Sequence, residues 1–540
     1  MTRSALTFPA RPDAHRPALD HDLDLGDGGT ESLILAPDYI LPSSDPEGLL
    51  PDFAVLVQEG KIAAIDLVTS LIEAHPDVAV ERLHDCIILP GLINAHQQGR
   101  AMTAAPLTPG DDLLDNALMV RLARTSLDPY PLALVAATDM LSHGVTTALH
   151  AGASQGTGDY EGELRAAIRG YLEAGLRTVI CVSGLDQGQI VSPSEELPVF
   201  LDRLSPELSA LLTEPSLPTY AGSADDTIAL MGRLLAEFGT EPTLTFRYAL
   251  PGPQYVSDAY LSKIAADAQA RGIGLHMILY ESQVDWAVCQ CLYPEGVLTR
   301  LDTLGLLSPA LTIVQGVWLS PAEIELLAAR GVCTVSTPGS NLRLRHGIAR
   351  LGPLLRAGIP VALGTNNRAL ADDEDMLSEL RLAAGLARVT DISQGGPWDD
   401  RPTTAEQFGM LTENGARAIG LAGIAGRLVV GGPADLMALS LQGIEGPSLD
   451  LEASLIDNIL NRASARDVCL TMVGGEIRYR EGALQGIDRE RVSGLLREAL
   501  TYSRAAADPA WPELWSELRA HLRHHYGAKI KLARQRLNSA

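Results

Sequence analysis

Between residues 87 and 365, eight short apolar runs alternate with longer stretches of helical texture, and this alternation constrains the fold more than any other feature of the chain. The runs fall at 87–96, 145–150, 178–182, 243–250, 272–280, 312–318, 332–336 and 360–365. Stretches of helical periodicity separate most of them, among them 161–174, 224–238, 258–269 and 321–329. Strands that alternate with helices pair in parallel, because a parallel connection needs a crossover long enough to hold a helix. Eight such units predict an α/β fold, a closed (β/α)8 TIM barrel.

The flanks read differently. Residues 54–65 form an expected hairpin with Glu59-Gly60 at its turn, and 468–479 another with Gly474-Gly475. With strand texture also at 426–439, the two flanks predict one small β-sandwich built from both the N- and C-terminal segments. Helices are expected at 375–387 and 404–419. The Ser-, Pro- and Glu-rich stretch 183–220 reads as an insertion over the barrel mouth. From Glu490 a helical tail follows, with Trp511, Leu514, Trp515, Leu518 and Leu522 at helical spacing. It reads as a docking helix, with a second subunit as one partner. The expected division is an N-terminal arm (1–28), an N-terminal sandwich segment (29–88), the barrel (89–422), a C-terminal sandwich segment (423–485) and a C-terminal helical tail (486–540).

Composition narrows the partners. The 540 residues carry 42 basic and 67 acidic side chains, a net charge of −25, which disfavours nucleic acid and anionic membranes. No apolar run is long enough to span a bilayer, and the polar, acidic first 30 residues lack a signal-peptide core, so a cytoplasmic protein is expected. The six cysteines sit mostly in apolar runs, and Cys289-x-Cys291 lacks zinc-site spacing, so buried reduced thiols are expected.

Chemistry concentrates at Leu89-Pro-Gly-Leu-Ile-Asn-Ala-His-Gln-Gln-Gly-Arg100, where polar side chains follow an apolar strand. In a parallel barrel that strand end faces the ligand. The segment resembles the entry strand of the amidohydrolase superfamily, in the branch of cytosine and guanine deaminases and triazine chlorohydrolases. The resemblance extends over roughly 31–485 through Gly144-Val-Thr-Thr147, Ser336-Thr-Pro-Gly-Ser-Asn-Leu342, Gly358-Ile-Pro-Val-Ala-Leu-Gly-Thr365 and Asn414-Gly-Ala-Arg-Ala-Ile-Gly420, closing with Gly426-Arg-Leu and Ala434-Asp-Leu436.

The resemblance implies a metal held by two histidines of strand one, one histidine each on strands five and six, and an aspartate ending strand eight. Here His96 is kept, but Gln98, Ile278, Gln315 and Asn366 stand at the other four positions, with His276 two residues before Ile278 on the same face of its strand. Neutral amide oxygens are poor donors to zinc or iron, so no metal ligand and no cofactor are expected. Glu281 matches the family's proton-shuttling glutamate. The expected catalytic residues are therefore Glu281, His96, His276 and Asn366. The expected substrate-binding residues are Gln98, Arg100, His150, Arg247, Gln315, Asn367 and Arg368. Arginines near strand ends (Arg100, Arg247, Arg343, Arg345, Arg368) would suit a negatively charged group on the ligand, and His150 is as readily a core residue as a pocket one.

Three functions remain open from the sequence. One is a metal-independent acid–base enzyme acting on a C–N or adjacent bond of a small polar molecule, as hydrolase, lyase or cyclase. Another is a metal-dependent deaminase or hydrolase with unusual ligands. The third is an inactive relative that binds a small molecule or supports a partner. The resemblance also implies a homodimer.

Overall fold

The computed structural model describes residues 32–99, 128–155, 157–188, 190–213, 220, 222–366, 373–393, 402–444, 455–506 and 511–539. Eight parallel strands run in sequence order: β1 (Leu92–Gln97), β2 (Val145–His150), β3 (Arg177–Ser183), β4 (Leu244–Leu250), β5 (Leu275–Leu279), β6 (Leu311–Gln315), β7 (Cys333–Ser336) and β8 (Val361–Leu363). β1 and β8 meet across the remaining seam through a bridge of Gln97 to Asn366, where the Asn366 N–H donates to the His96 carbonyl (2.9 Å) and the Gln98 N–H to the Asn366 carbonyl (3.0 Å). The seam thus runs through residues expected to belong to the site.

Every strand sends small or branched side chains inward. Ile93, Ala95, Leu149, Val179, Cys181, Ala249, Val314, Val335 and Ala362 fill the barrel, with Ile278 partly buried beside them. Ala416, Ala418 and Ile419 of the helix Glu413–Ile419 join the same cluster. Aromatics are scarce in the chain, and these aliphatic layers show how the barrel packs without them. The outward strand residues, such as Leu92, Ile180 and Ile313, pack against the helices instead.

The apolar run at 87–96 is not one strand. Ala79–Pro90 lies in the second sheet, paired with Leu436–Ser440, and β1 begins only after Gly91. Gly91 is required there, because a Cβ would sit 2.1 Å from Thr146 Oγ1. That second sheet has nine strands drawn from 33–90 and 436–484. Leu35, Val55, Ile88, Leu436, Leu470 and Met472 share one core, so the two chain segments make one β-sandwich unit. Both expected hairpins form, with positive φ at Glu59 and Gly60 and at Gly474 and Gly475. The helix expected at 404–419 is two, Thr404–Leu411 and Glu413–Ile419, because Thr412 (φ −131°, ψ −96°) leaves the helical region.

The insertion carries short helices at Leu197–Leu201 and Pro206–Leu212. The tail forms helices Arg489–Ala506 and Trp511–Ser539. The second tail helix docks on this chain's own insertion: Leu514, Trp515, Leu518 and Leu522 are buried against Val191, Phe200, Leu204, Leu208 and Leu212. No described helix is long and apolar enough to cross a membrane. The described cysteines are all free thiols. The arm 1–28 lies outside the described residues.

Candidate active site

A cavity opens at the C-terminal ends of the barrel strands. His96 near the end of β1 and Gln98 just after it, His276 and Glu281 around β5, and Asn366 after β8 all line it, as do Asp285 and His346. Ser192 and Tyr220 of the insertion, and Leu522 and Tyr526 of the tail, complete its wall.

The floor is an imidazole pair. His96 Nδ1 and His276 Nε2 are 2.9 Å apart, with ring centroids 5.1 Å apart and planes inclined by 21°. Both rings are buried. Burial holds His96 down at about 4, and burial followed by the neighbouring His96 and Arg247 holds His276 well below the usual imidazole range. Both are therefore neutral at pH 7. A neutral imidazole has one N–H, so a pair sharing one hydrogen bond leaves one donor and one acceptor at its two outer nitrogens. Those nitrogens, His96 Nε2 and His276 Nδ1, are buried without a protein partner, and so is Gln98 Oε1.

The amides engage one another. Gln98 Nε2 donates to Asn366 Oδ1 (2.8 Å), and Asn366 Nδ2 donates to Ser340 Oγ (2.8 Å). Thr337 Oγ1 donates to Gln315 Oε1 (2.8 Å), which leaves Gln315 Nε2 to donate to Glu281 Oε1 (3.2 Å). His346 Nδ1 lies 3.6 Å from the same carboxylate oxygen. Tyr280, Gln315 and Asn366, at the ends of three strands, hold φ of 51°, 75° and 56°. For residues other than glycine such backbone costs about 1–3 kcal/mol each and tends to persist at functional sites.

A second carboxylate adjoins Glu281. Asp285 sits in the first turn of the helix Gln283–Leu292, where it accepts from Ser282 N–H (3.0 Å), Ser282 Oγ–H (2.9 Å) and Gln254 Nε2 (3.3 Å). Burial first, and then the charge of Glu281, push Asp285 up to about 6. Neither Asp285 nor His346 is among the residues expected from the sequence. Asp285 reads there as the third residue after the cap of an ordinary capping box, Ser282-x-x-Asp285, and His346 falls between the matched segments Ser336–Leu342 and Gly347-Ile-Ala. The nearness of the aspartate to Glu281 by one helical turn was the available signal.

Asp285 yields a stability prediction. A folded-state value raised from 3.8 to about 6 means that the folded protein holds this proton more tightly than the unfolded chain does. The stabilisation is complete below about pH 4 and is lost as the pH rises through 6. Replacing Asp285 by Asn removes that loss. The melting temperature of the variant, relative to wild type, should rise between pH 5 and pH 7.5 by the equivalent of roughly 1 kcal/mol. A difference that stays constant with pH would refute the raised carboxyl.

Three expected binding residues are placed elsewhere or only indirectly at the site. Arg247 does not face the mouth: its Nη2 donates to the carbonyls of Leu275 and Ala310 (2.9 Å each), at the opposite end of β5 and β6. It is consumed at that far end of the barrel, where the Ala310 carbonyl also accepts from the Leu275 N–H (2.9 Å). His150 turns away from the cavity towards Tyr171, whose hydroxyl lies 3.1 Å from its Nδ1 and accepts from Gln97 Nε2 (2.8 Å). Gln315 reaches the site through Glu281. Arg100, Asn367 and Arg368 lie outside the described residues. Arg343 and Arg345 do not line the cavity, so no described arginine does. The expectation of a negatively charged ligand therefore loses its support among the described residues, and the lining carboxylates favour a neutral or cationic one.

Comparison with known proteins agrees with this architecture. The model of the amidohydrolase family matches residues 87–478. The chain belongs to the amidohydrolase family. It is 28% identical over 478 residues to a 5-methylthioadenosine/S-adenosylhomocysteine deaminase of Nitratidesulfovibrio vulgaris, covering 87% of this chain and 97% of that one. It is 26% identical to a 5′-deoxyadenosine deaminase of Methanosarcina barkeri, covering 84% and 94%. Among solved structures, an adenosine deaminase of Xanthomonas campestris with bound zinc superposes with a TM-score of 0.70 at 24% identity, covering 88% of this chain and 98% of that one. A triazine hydrolase of Arthrobacter aurescens does so with a TM-score of 0.70 at 22%, covering 87% and 99%. Family and relatives together support a hydrolase acting on C–N bonds.

Proposed function

We propose that this amidohydrolase-family enzyme hydrolyses a C–N bond of a small, neutral or cationic nitrogen heteroaromatic molecule by acid–base catalysis, without a bound metal. The observation that carries the reading is Glu281 itself: a carboxylate at the strand end that accepts from Gln315, with His346 Nδ1 3.6 Å away, lining the same cavity as the imidazole nitrogens that have no protein partner. The named relatives supply the bond and the ring class, since adenosine derivatives and triazines share a nitrogen-rich aromatic ring.

In this reading Glu281 takes a proton from water as the water oxygen bonds to the ring carbon. It returns that proton to the departing nitrogen as the C–N bond breaks. The outer nitrogens of the His96–His276 pair, one donor and one acceptor, hold the edge of the ring. Gln98 and Asn366 fix its rim. Burial and the charge of Glu281 favour keeping the proton on Asp285.

The family and the zinc-bound neighbour suggest a metal instead, and the donors present do not fit one. Among the described residues no three His, Cys, Asp or Glu side chains converge. The retained histidine turns Nδ1 to His276, and the amides at the other positions bond to each other. Such donors hold zinc or iron poorly. Protein purified without chelators should carry well under one equivalent of zinc, iron, manganese or nickel by elemental mass spectrometry, and its turnover of aminated purines and triazines should survive chelation. About one metal per chain, lost together with activity on chelation, would reverse this reading in favour of metal-assisted hydrolysis.

A further inference from the structure

The tail helix Trp511–Ser539 follows the segment that matches the family, which ends at 478, and nothing in the proposed chemistry uses it. Its apolar stripe is buried in the insertion, with Trp515 2%, Leu518 0% and Leu522 1% exposed. Polar ties reinforce the contact. Ser205 donates from N–H (2.6 Å) and Oγ–H (2.9 Å) to Glu517, Lys529 Nζ donates to Glu196 (2.7 Å), and His525 Nε2 lies 3.4 Å from Glu196. The helix also lies along Gln283–Leu292, the helix that carries Asp285. Two of its side chains, Leu522 and Tyr526, line the same cavity as Glu281 and His276.

The carboxylate, imidazole and amide groups of this cavity come from the barrel: the strand ends supply His96, Gln98, His276, Glu281 and Asn366, together with apolar Ala249 and Ile278, while the insertion and the tail supply Ile190, Ser192, Tyr220, Leu522 and Tyr526. A ligand whose reacting edge meets those polar groups therefore presents its far end to a wall that is mainly apolar and aromatic, with Ser192 among its residues.

We propose that the tail helix is the roof of the substrate pocket, and that Leu522 and Tyr526 are specificity-determining residues that select a nitrogen heteroaromatic carrying an apolar substituent away from the reacting bond. This deepens the function proposed above and rests on it for the ring, whereas the roof itself does not. An alternative, a strap that only stabilises the insertion, would leave pocket access and ligand choice unaffected by these side chains.

Two readouts on the full-length protein separate the cases. The first needs no ligand: histidine carbethoxylation by diethyl pyrocarbonate, followed residue by residue by mass spectrometry. Leu518→Asp, which puts a charge into the buried stripe, and Glu196→Gln combined with Ser205→Ala, which loosens the ties, should each speed modification of His346 and His276 roughly tenfold or more. The rate at exposed His84 should not change. Acceleration at His84 and loss of far-ultraviolet dichroism would mean that Leu518→Asp has unfolded the chain, and the milder double variant then decides. Unchanged rates at His346 and His276 in a folded variant would overturn the roof.

The second readout is protection of those histidines by 5′-methylthioadenosine compared with adenosine. Wild type should be protected at lower concentration by the methylthio compound. Leu522→Ala should weaken that compound by roughly 10- to 30-fold, the expected loss for about three buried carbons, and adenosine much less. Equal protection by the two compounds in wild type and variant would overturn the selection. If neither compound protects while the roof variants still expose the histidines, the ring class fails and the roof stands.

Discussion

Replacement of Glu281 by Gln is expected to lower kcat by about 10³-fold or more while changing substrate affinity by less than a few-fold, because general acid–base catalysis typically contributes about 10²–10⁴-fold. Gln keeps the shape of the side chain and an oxygen that can accept from Gln315 Nε2, so the local geometry is preserved. It cannot carry a proton from water to the leaving nitrogen. The substitution also removes the negative charge that raises Asp285, so the carboxyl of Asp285 should titrate lower in the variant, which nuclear magnetic resonance of a labelled side chain can follow. Comparison of kcat with the dissociation constant of an unreactive ring analogue separates the possibilities. Retained turnover would move the base elsewhere, with Asp285 the next candidate. A variant and a wild type that bind equally and are both inactive would make the chain a binding protein of the family fold.

Much of this site was legible in the chain, and the gaps have physical causes. The barrel is readable because each strand is a short apolar run with a helix after it, and that periodicity survives without any knowledge of contacts. His96, Gln98, His276, Glu281 and Asn366 stand out through the resemblance to the family's ligand and glutamate positions, and they line one cavity because strand ends in a parallel barrel converge. Arg247 misleads because alternation gives its inward direction but not its depth: it lies two residues before Ala249, one layer down, where it donates to the Leu275 and Ala310 carbonyls. His150 misleads for a related reason, since the strand that ends with it turns its ring towards Tyr171, behind the wall. Asp285 escapes notice because a capping box explains it locally, although its place one helical turn after Glu281 is visible in the chain. The roof is the least legible element. An amphipathic helix displays its apolar stripe in sequence, but which surface that stripe meets is decided by an insertion some 300 positions earlier, as the bonds between Glu517 and Ser205 illustrate.

A comparable distance in sequence separates the partners of the buried ion pair that holds the barrel to the β-sandwich. Arg177, the first residue of β3, donates from Nε to Asp435 Oδ2 (2.5 Å) and from Nη2 to Oδ1 (3.2 Å), and its Nη1 donates to the Pro242 carbonyl (3.0 Å). Asp435 also accepts from the Gly474 N–H at the sandwich turn (2.7 Å). The side chains are only 9% and 4% exposed. Removing one partner leaves the other charge buried and uncompensated, so Asp435→Ala should cost about 3–5 kcal/mol, whereas removing both together costs much less. The expected signature is a double-mutant cycle in urea. Asp435→Ala alone lowers the unfolding midpoint strongly, Arg177→Met alone lowers it less because Asp435 keeps the Gly474 N–H, and the double variant recovers some of the loss. A strictly additive double variant would mean that the two charges act independently. The junction would then be held by its apolar contacts and by the Gly91 N–H, which donates to the Asp435 carbonyl (3.1 Å).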